Sequence, residues 1–176
     1  MNTFKADIEE IRRRAMEKME DGAVTAAYQA DRKRVIEVLN EVLATETVCV
    51  LRYKSHYFMA KGVHAPGVAD EFLEHAQEEQ DHADRVAKRI TELGGKPNLN
   101  PVGLAERSHA QYGVGESLLD MVKEDLIAER IAIGTYSEIV RWLANEDPTT
   151  RRLIEELLAK EEEHADDMAS LLARIK

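Results

Sequence analysis

Residues 79–84 read Glu79-Gln80-Asp81-His82-Ala83-Asp84, and residues 161–166 read Glu161-Glu162-Glu163-His164-Ala165-Asp166. In each, a Glu lies three positions before a His, so on a helix both side chains share one face, about 5–6 Å apart at Cβ. The spacing alone is weak. With 23 Glu and six His in the chain, chance matches are expected, and Glu106-Arg107-Ser108-His109 is one. The surroundings single out the other two. Glu46 precedes Glu79 by 33 residues, and Glu129 precedes Glu161 by 32. Glu46 and Glu129 are 83 apart, His82 and His164 are 82 apart, and Tyr53, seven after Glu46, is matched by Tyr136, seven after Glu129. The chain therefore repeats itself, and the repeat carries Glu46, Glu79, His82, Glu129, Glu161 and His164.

These residues fall on long helical patterns. One segment runs from about Asp31 to Lys61, with Val35, Leu39, Val42, Leu43, Glu46, Val50 and Tyr53 at three- and four-residue spacing and Gly62 as its stop. A second runs from about Val68, after Pro66-Gly67, to Leu93, with Phe72, His75, Glu79, His82, Val86 and Ile90 on one face. It stops at Gly94-Gly95-Lys96-Pro97. A third spans about Glu116 to Asn145. A fourth spans Pro148 to Ile175, started by Asp147-Pro148 as cap and first-turn proline. A shorter amphipathic helix is expected over Thr3 to Glu20, on the stripe Phe4, Ile8, Ile11, Ala15 and Met19, ended by Asp21-Gly22.

The first and second long segments, and the third and fourth, are joined by short links and so form antiparallel hairpins. Gly94 to Gly115 is about 22 residues, with an extended reach of roughly 70 Å, enough to cross a whole bundle. With turns near residues 64 and 146, Glu46 lies 18 before its turn and Glu79 15 after, while Glu129 lies 17 before and Glu161 15 after. Equal distance from the turn means equal height, so six polar side chains converge at one level of an apolar bundle. Residues 1–30 read as an N-terminal extension and residues 31–176 as the bundle.

Acids on charged helices usually face solvent, and a lone helical His is usually structural. A duplicated set of six points instead to a metal centre. Four carboxylates in a low-dielectric core repel, and two divalent cations balance their charge. Carboxylate oxygens with one imidazole per ion suit Fe or Mn better than Ca or Mg. The hydroxyl of Tyr53, two turns from Glu46, could bond a ligand carboxylate, with Tyr136 as its repeat. The other reading is a plain core tyrosine. Glu74, His75 and Glu78, just before Glu79, read either as an ion relay or as a solvated acidic face. Cys49, three after Glu46, reads either as an oxidisable thiol beside the centre or as a buried structural one.

The 176 residues hold 24 Lys plus Arg and 34 Asp plus Glu, for a net charge of −10, with 44% hydrophobic and 5% aromatic residues. That is a helical composition with a poor footing for nucleic acid. Met1 to Asp21 carries five basic and six acidic residues, so it is a weak DNA anchor, and Arg12-Arg13-Arg14 reads as a small basic patch or a solvated face. One cysteine excludes an internal disulfide and a cysteine-built cluster. No apolar run approaches a membrane span, and Met1 to Glu10 lacks a signal-peptide core. A cytoplasmic location is expected.

The six-residue set resembles that of the ferritin-like di-iron carboxylate proteins, whose bundles have one long crossover. Leu39-Asn40-Glu41 leading to Glu46, Glu79 through Asp84, Pro97-Asn98-Leu99 and Leu126-Ile127-Ala128-Glu129 resemble bacterioferritin in particular, over about Asp31 to Leu172. The resemblance implies an all-α fold: a ferritin-like antiparallel four-helix bundle with a B–C crossover, plus the short N-terminal helix. It implies a ferroxidase that stores or detoxifies iron, oxidising Fe²⁺ with O₂ or H₂O₂ at two Fe ions per subunit. Glu46 and His82 would bind one iron and Glu129 and His164 the other, with Glu79 and Glu161 bridging. A non-storage di-iron or di-manganese redox enzyme, peroxidase- or catalase-like, is the alternative.

Three departures accompany the resemblance. Gln80 stands where the family has its haem-ligating methionine, so no haem is expected. Twelve residues follow His164, too few for the family's short fifth helix. The N-terminal arm and the missing helix are similar to the twelve-subunit mini-ferritins. A homo-oligomeric shell of 12 subunits is therefore favoured over 24.

Overall fold

The computed structural model describes residues 5–61 and 65–175. Six α-helices follow in order: α1 (Ile8–Ala15), α2 (Arg32–Met59), α3 (Ala65–Glu92), α4 (Leu104–Arg107), α5 (Leu118–Leu143) and α6 (Pro148–Arg174). Three of the four long helices, α2, α5 and α6, start where a side chain satisfies an orphan backbone N–H. The Asp31 carboxylate accepts from Arg34 N at 3.2 Å, the Ser117 hydroxyl from Asp120 N at 3.2 Å, and the Asp147 carboxylate from Thr150 N at 2.9 Å. α2 packs along α3 and α5 along α6, and the two hairpins meet through α2–α5 and α3–α6 contacts. The chain is thus the antiparallel four-helix bundle with one long crossover. The crossover, Leu93 to Ser117, carries the one-turn helix α4, which packs on α2.

The N-terminal helix is shorter than the Thr3–Glu20 stripe suggests. It covers Ile8–Ala15, buries nothing, and leaves Ile8 65% exposed. Of the described stripe residues, Ile8 and Ile11 stay exposed, and Lys18 adopts a left-handed φ of 48° that ends helical continuation. Arg13 and Arg14 pair with Glu10, and Arg13 also pairs with Glu17, so the basic patch is largely neutralised along its own helix. Thr3 and Phe4, the proposed stop at Gly62 and the turn near residue 64 lie outside the described residues. α3 begins three residues earlier than Val68, with Pro66 in its first turn, where proline's missing N–H costs nothing. α5 ends at Leu143, before the Asn145 expected, because Ala144 takes a φ of 46°.

Two apolar clusters fill the bundle. One, nearer the starts of α2 and α6, gathers Leu39, Leu43, Val86, Ile90, Leu143, Ile154 and Leu157. The other, toward the opposite end, gathers Tyr53, Val68, Phe72, Met121 and Met168. Burying each large side chain stabilises by about 1.5–3 kcal/mol. Between them lies the level of Glu46, Glu79, Glu129 and Glu161. The segment before α2 is tied to the first cluster. Val24, Tyr28 and Ala30 pack on it, and the Tyr28 hydroxyl donates to Asp147, which also accepts two bonds from Arg89. Among the described residues no helix is long and apolar enough to cross a membrane.

Candidate metal centre

Glu46 comes from α2, Glu79 and His82 from α3, Glu129 from α5, and Glu161 and His164 from α6. All six are 2% exposed or less. The structure brings them together in two overlapping groups: Glu46, Glu79, His82 and Glu161, and Glu79, Glu129, Glu161 and His164. Within each group the potential ligand atoms lie within 4.8 Å of one another. His82 Nδ1 is 3.4 Å from Glu46 Oε2, 3.4 Å from Glu79 Oε2 and 3.2 Å from Glu161 Oε1. His164 Nδ1 is 3.3 Å from Glu79 Oε1, 3.6 Å from Glu161 Oε2 and 4.0 Å from Glu129 Oε2. Glu79 and Glu161 belong to both groups, and each offers one oxygen to either histidine.

These atoms are close to one another yet bonded to nothing. Glu46 Oε2, both oxygens of Glu79, His82 Nδ1, Glu129 Oε2, Glu161 Oε1 and His164 Nδ1 are all buried without a hydrogen-bond partner. A single orphaned buried polar atom costs about 1–3 kcal/mol. Seven facing one centre are a donor set whose chemistry fits divalent cations.

The outer atoms of the same groups are satisfied, which fixes the ligand orientations. Tyr53 Oη donates to Glu129 Oε1 at 2.5 Å, and Tyr136 Oη donates to Glu46 Oε1. His164 Nε2 lies 2.7 Å from Glu78 Oε2, so with Nδ1 facing the centre the Nε2–H donates to that carboxylate. His82, Glu74 and Glu78 line a surface cavity of about 410 Å³ together with Asp81, Arg85 and Lys160, so the His82 imidazole borders both this cavity and the buried centre.

Electrostatics follows from this crowding. Burial first, then the charges on Glu79 and Glu161, push Glu46 and Glu129 well above the usual carboxylate range. Burial alone would raise Glu79 as well, but its close contacts with Glu46, His164 and His82 outweigh it and hold Glu79 low. Burial pulls on both imidazoles in the other direction and loses to their carboxylate neighbours. His164 is pushed up to about 11 by Glu161 and Glu79, and His82 is raised by Glu161, Glu46 and Glu79. Without cations, protons take their place in the centre.

Other sequence candidates separate here. Cys49 is buried, its thiol is pushed up by that burial, and its sulfur accepts from Arg52 Nη2 at 3.4 Å, which favours the structural reading. Glu106 joins no such group, and His109 instead pins the crossover to α2 by bonding Thr45. Of the suggested relay, His75 is buried against the centre and Glu78 bonds His164, whereas Glu74 stays in the cavity wall. Burial, then His164, pulls His75 down to about 4. Sequence reasoning missed the buried Arg52–Asp125–His56 network, with Asp125 oxygens 2.7 Å from Arg52 Nε and 2.8 Å from His56 Nδ1. The available signal was Asp125, one helical turn before Glu129 on the inward stripe.

Comparison with known proteins agrees with this geometry. The ferritin family pattern, a ferritin-like domain, matches residues 36–176. The chain is 33% identical over 148 residues to a nutrient stress-induced DNA-binding protein of Nostoc sp., covering 80% of this chain and 78% of that one. It is 32% identical over 147 residues to a bacterioferritin of Brucella melitensis, covering 81% and 86%. Among solved structures, the dodecameric thioferritin of Bacteroides fragilis, a bacterioferritin-related protein, superposes with a TM-score of 0.80 at 33% identity, covering 84% of this chain and 89% of that one. With its duplicated Glu-x-x-H helices, its single long crossover and these relatives, the chain belongs to the ferritin-like family as a bacterioferritin-like member.

Proposed function

We propose that this protein is a ferroxidase that sequesters iron, taking two Fe²⁺ per subunit as substrate between Glu46, Glu79, His82, Glu129, Glu161 and His164. The observation that carries this is the set of seven buried ligand atoms without partners, arranged as two groups that share Glu79 and Glu161. Two divalent cations bring four carboxylates to neutrality, with one imidazole for each ion. Glu79 and Glu161 are suited to bridge, and Glu46 and Glu129 to close either end.

The chemistry is electron transfer. Two Fe²⁺ become two Fe³⁺, while O₂ with two protons becomes H₂O₂, or H₂O₂ with two protons becomes two waters. The chain's own part is positioning and charge balance. Tyr53 and Tyr136 hold the terminal carboxylates, and Glu78 holds the His164 ring. Protons sit on Glu46, Glu129 and the imidazoles until cations displace them.

A closed shell is the assembly this reading requires, and twelve subunits is our favoured count. The related dodecameric thioferritin supports it, as do the exposed apolar side chains on the outer faces of α2 and α5, among them Leu51, Phe58, Ile127 and Trp142. Haem and DNA stand outside the proposal. Gln80 is exposed and bonded to Asp84, and the acidic chain offers little to phosphate, although one relative is named for binding DNA.

Anaerobic Fe²⁺ titration followed by air, read by near-ultraviolet absorbance, tests the reading, with size-exclusion mass on the same sample. A break at two irons per chain and a mass of several hundred kilodaltons are expected. Fewer than two oxidised irons per chain overturns the centre. A dimeric mass with the right stoichiometry favours a non-storage redox enzyme.

A further inference from the structure

We propose that Glu71, His75 and Asp167 form a third divalent-cation site, beside the dinuclear centre and open to solvent, where Fe²⁺ is held before it moves inward. The role in iron supply rests on the proposed function, whereas the site itself stands on its own geometry.

The geometry begins at Tyr53. Its single hydroxyl proton is engaged with Glu129 at 2.5 Å, so its oxygen accepts from His75 Nδ1, 3.2 Å away. Nδ1 therefore carries the hydrogen, and Nε2 presents a lone pair. His75 is only 2% exposed, and its ring is held against His164 at 4.0 Å between centroids with planes 22° apart. Among the described residues Nε2 has no hydrogen-bond partner. The carboxylate oxygens within 4 Å of it are Glu71 Oε1 at 3.7 Å and Asp167 Oδ2 at 3.6 Å.

A lone pair at the solvent-facing edge of a buried ring, aimed between two carboxylates, is repulsive until a cation or water separates them. Ligands about 2.1 Å from a common ion at angles of about 90–120° stand about 3.0–3.6 Å apart, close to the observed spacing. One imidazole with two carboxylates suits Fe²⁺ or Mn²⁺. The carboxylate side chains are 33% and 50% exposed, which leaves coordination positions for water and for capture of a hydrated ion.

The internal repeat supplies a second argument. All six central ligands and both tyrosines recur in the other half. At the same 82-residue offset, however, Glu71, His75 and Asp167 correspond to Leu153, Leu157 and Arg85. Leu157 is buried in the apolar core with Leu153 packed against the same cluster, and Arg85 is paired with Glu156. The trio is present in one half only, so it is not a by-product of duplication. It is also wired to the centre, since Nδ1 bonds Tyr53, which bonds Glu129.

The test is anaerobic titration of the full-length assembled protein with Mn²⁺ alone, read by electron paramagnetic resonance. Wild type is expected to show an exchange-coupled pair and one isolated bound Mn²⁺. His75→Leu, which copies Leu157, and Asp167→Asn, at an exposed position that leaves the core untouched, each lose the isolated ion and keep the pair. Glu46→Ala loses the pair and keeps the isolated ion. No isolated bound ion in wild type, or one that persists in both His75→Leu and Asp167→Asn, overturns the proposal. An isolated ion without any coupled pair in wild type supports this site and removes the dinuclear reading instead.

Discussion

The two halves of the bundle carry the same ligands in different settings. Around Glu129, the Tyr53 hydroxyl is backed by the imidazole of His75 and by carboxylates that reach solvent. Around Glu46, the equivalent Tyr136 sits in the apolar cluster that holds Leu157. The difference separates what the metal centre requires from what one side adds to it. In the proposed centre Glu, His and Tyr recur because each ion would need a carboxylate, an imidazole and a hydroxyl to orient them. The polar trio behind Tyr53 does not recur, and the other half closes with leucines.

The largest expected effect comes from erasing that asymmetry. Leu157→His puts an imidazole into a closed apolar core and should destabilise the ion-free protein by about 2–5 kcal/mol. The mirror change, His75→Leu, loses one hydrogen bond and gains apolar burial, so it should cost less than about 1 kcal/mol. Thermal unfolding of both variants checks the contrast, and equal losses would erase it. Next are the terminal carboxylates. Glu46→Ala and Glu129→Ala should each slow Fe²⁺ oxidation more than about 100-fold, beyond the upper end for loss of an orienting partner. Stopped-flow absorbance after mixing with air reads this, and wild-type rates in either variant would show that half to be dispensable.

Smaller effects test the orienting hydroxyls. Tyr53→Phe and Tyr136→Phe should each weaken metal binding about 10-fold. Only Tyr53→Phe should also weaken the third ion, because only Tyr53 fixes the His75 tautomer. Calorimetry with Mn²⁺ separates the two, and identical behaviour would mean that the link through His75 carries nothing.

The smallest effect is the pH dependence. Glu46 and Glu129 are raised by burial, and His164 is raised to about 11 by its carboxylate neighbours, so the ion-free centre is protonated near neutrality. Cations displace those protons, and raising the pH removes a competitor and tightens binding. For the ion-free fold the sign is opposite. The His164 proton stabilises fully below its unfolded pKa of about 6.5, and that contribution is lost as pH rises through about 11. Calorimetry in buffers of different ionisation enthalpy should show proton release on loading, and pH-independent binding would contradict it.

The bundle and the convergence of the six residues were legible because both depend on spacing: helical periodicity, equal heights from two turns, and an offset repeat. The Tyr53–Glu129 and Tyr136–Glu46 pairs were legible only in part. The repeat names the tyrosines, but each bonds the carboxylate of the opposite half, which only the crossing of α2 and α5 decides. Asp167 and Arg52 were illegible, since their roles depend on neighbours 92 and 73 residues away in sequence. The N-terminal helix was legible but its extent was not, because Ile8 and Ile11 have the right period yet stay 65% and 45% exposed.

One measurement bears most directly on the centre. Crystals of the protein soaked anaerobically with Fe²⁺ and measured across the iron absorption edge should show two anomalous peaks, about 3.5–4 Å apart, flanked by Glu79 and Glu161. A single peak there, or iron only on the outer surface with Glu46 and Glu129 unliganded, would contradict the account.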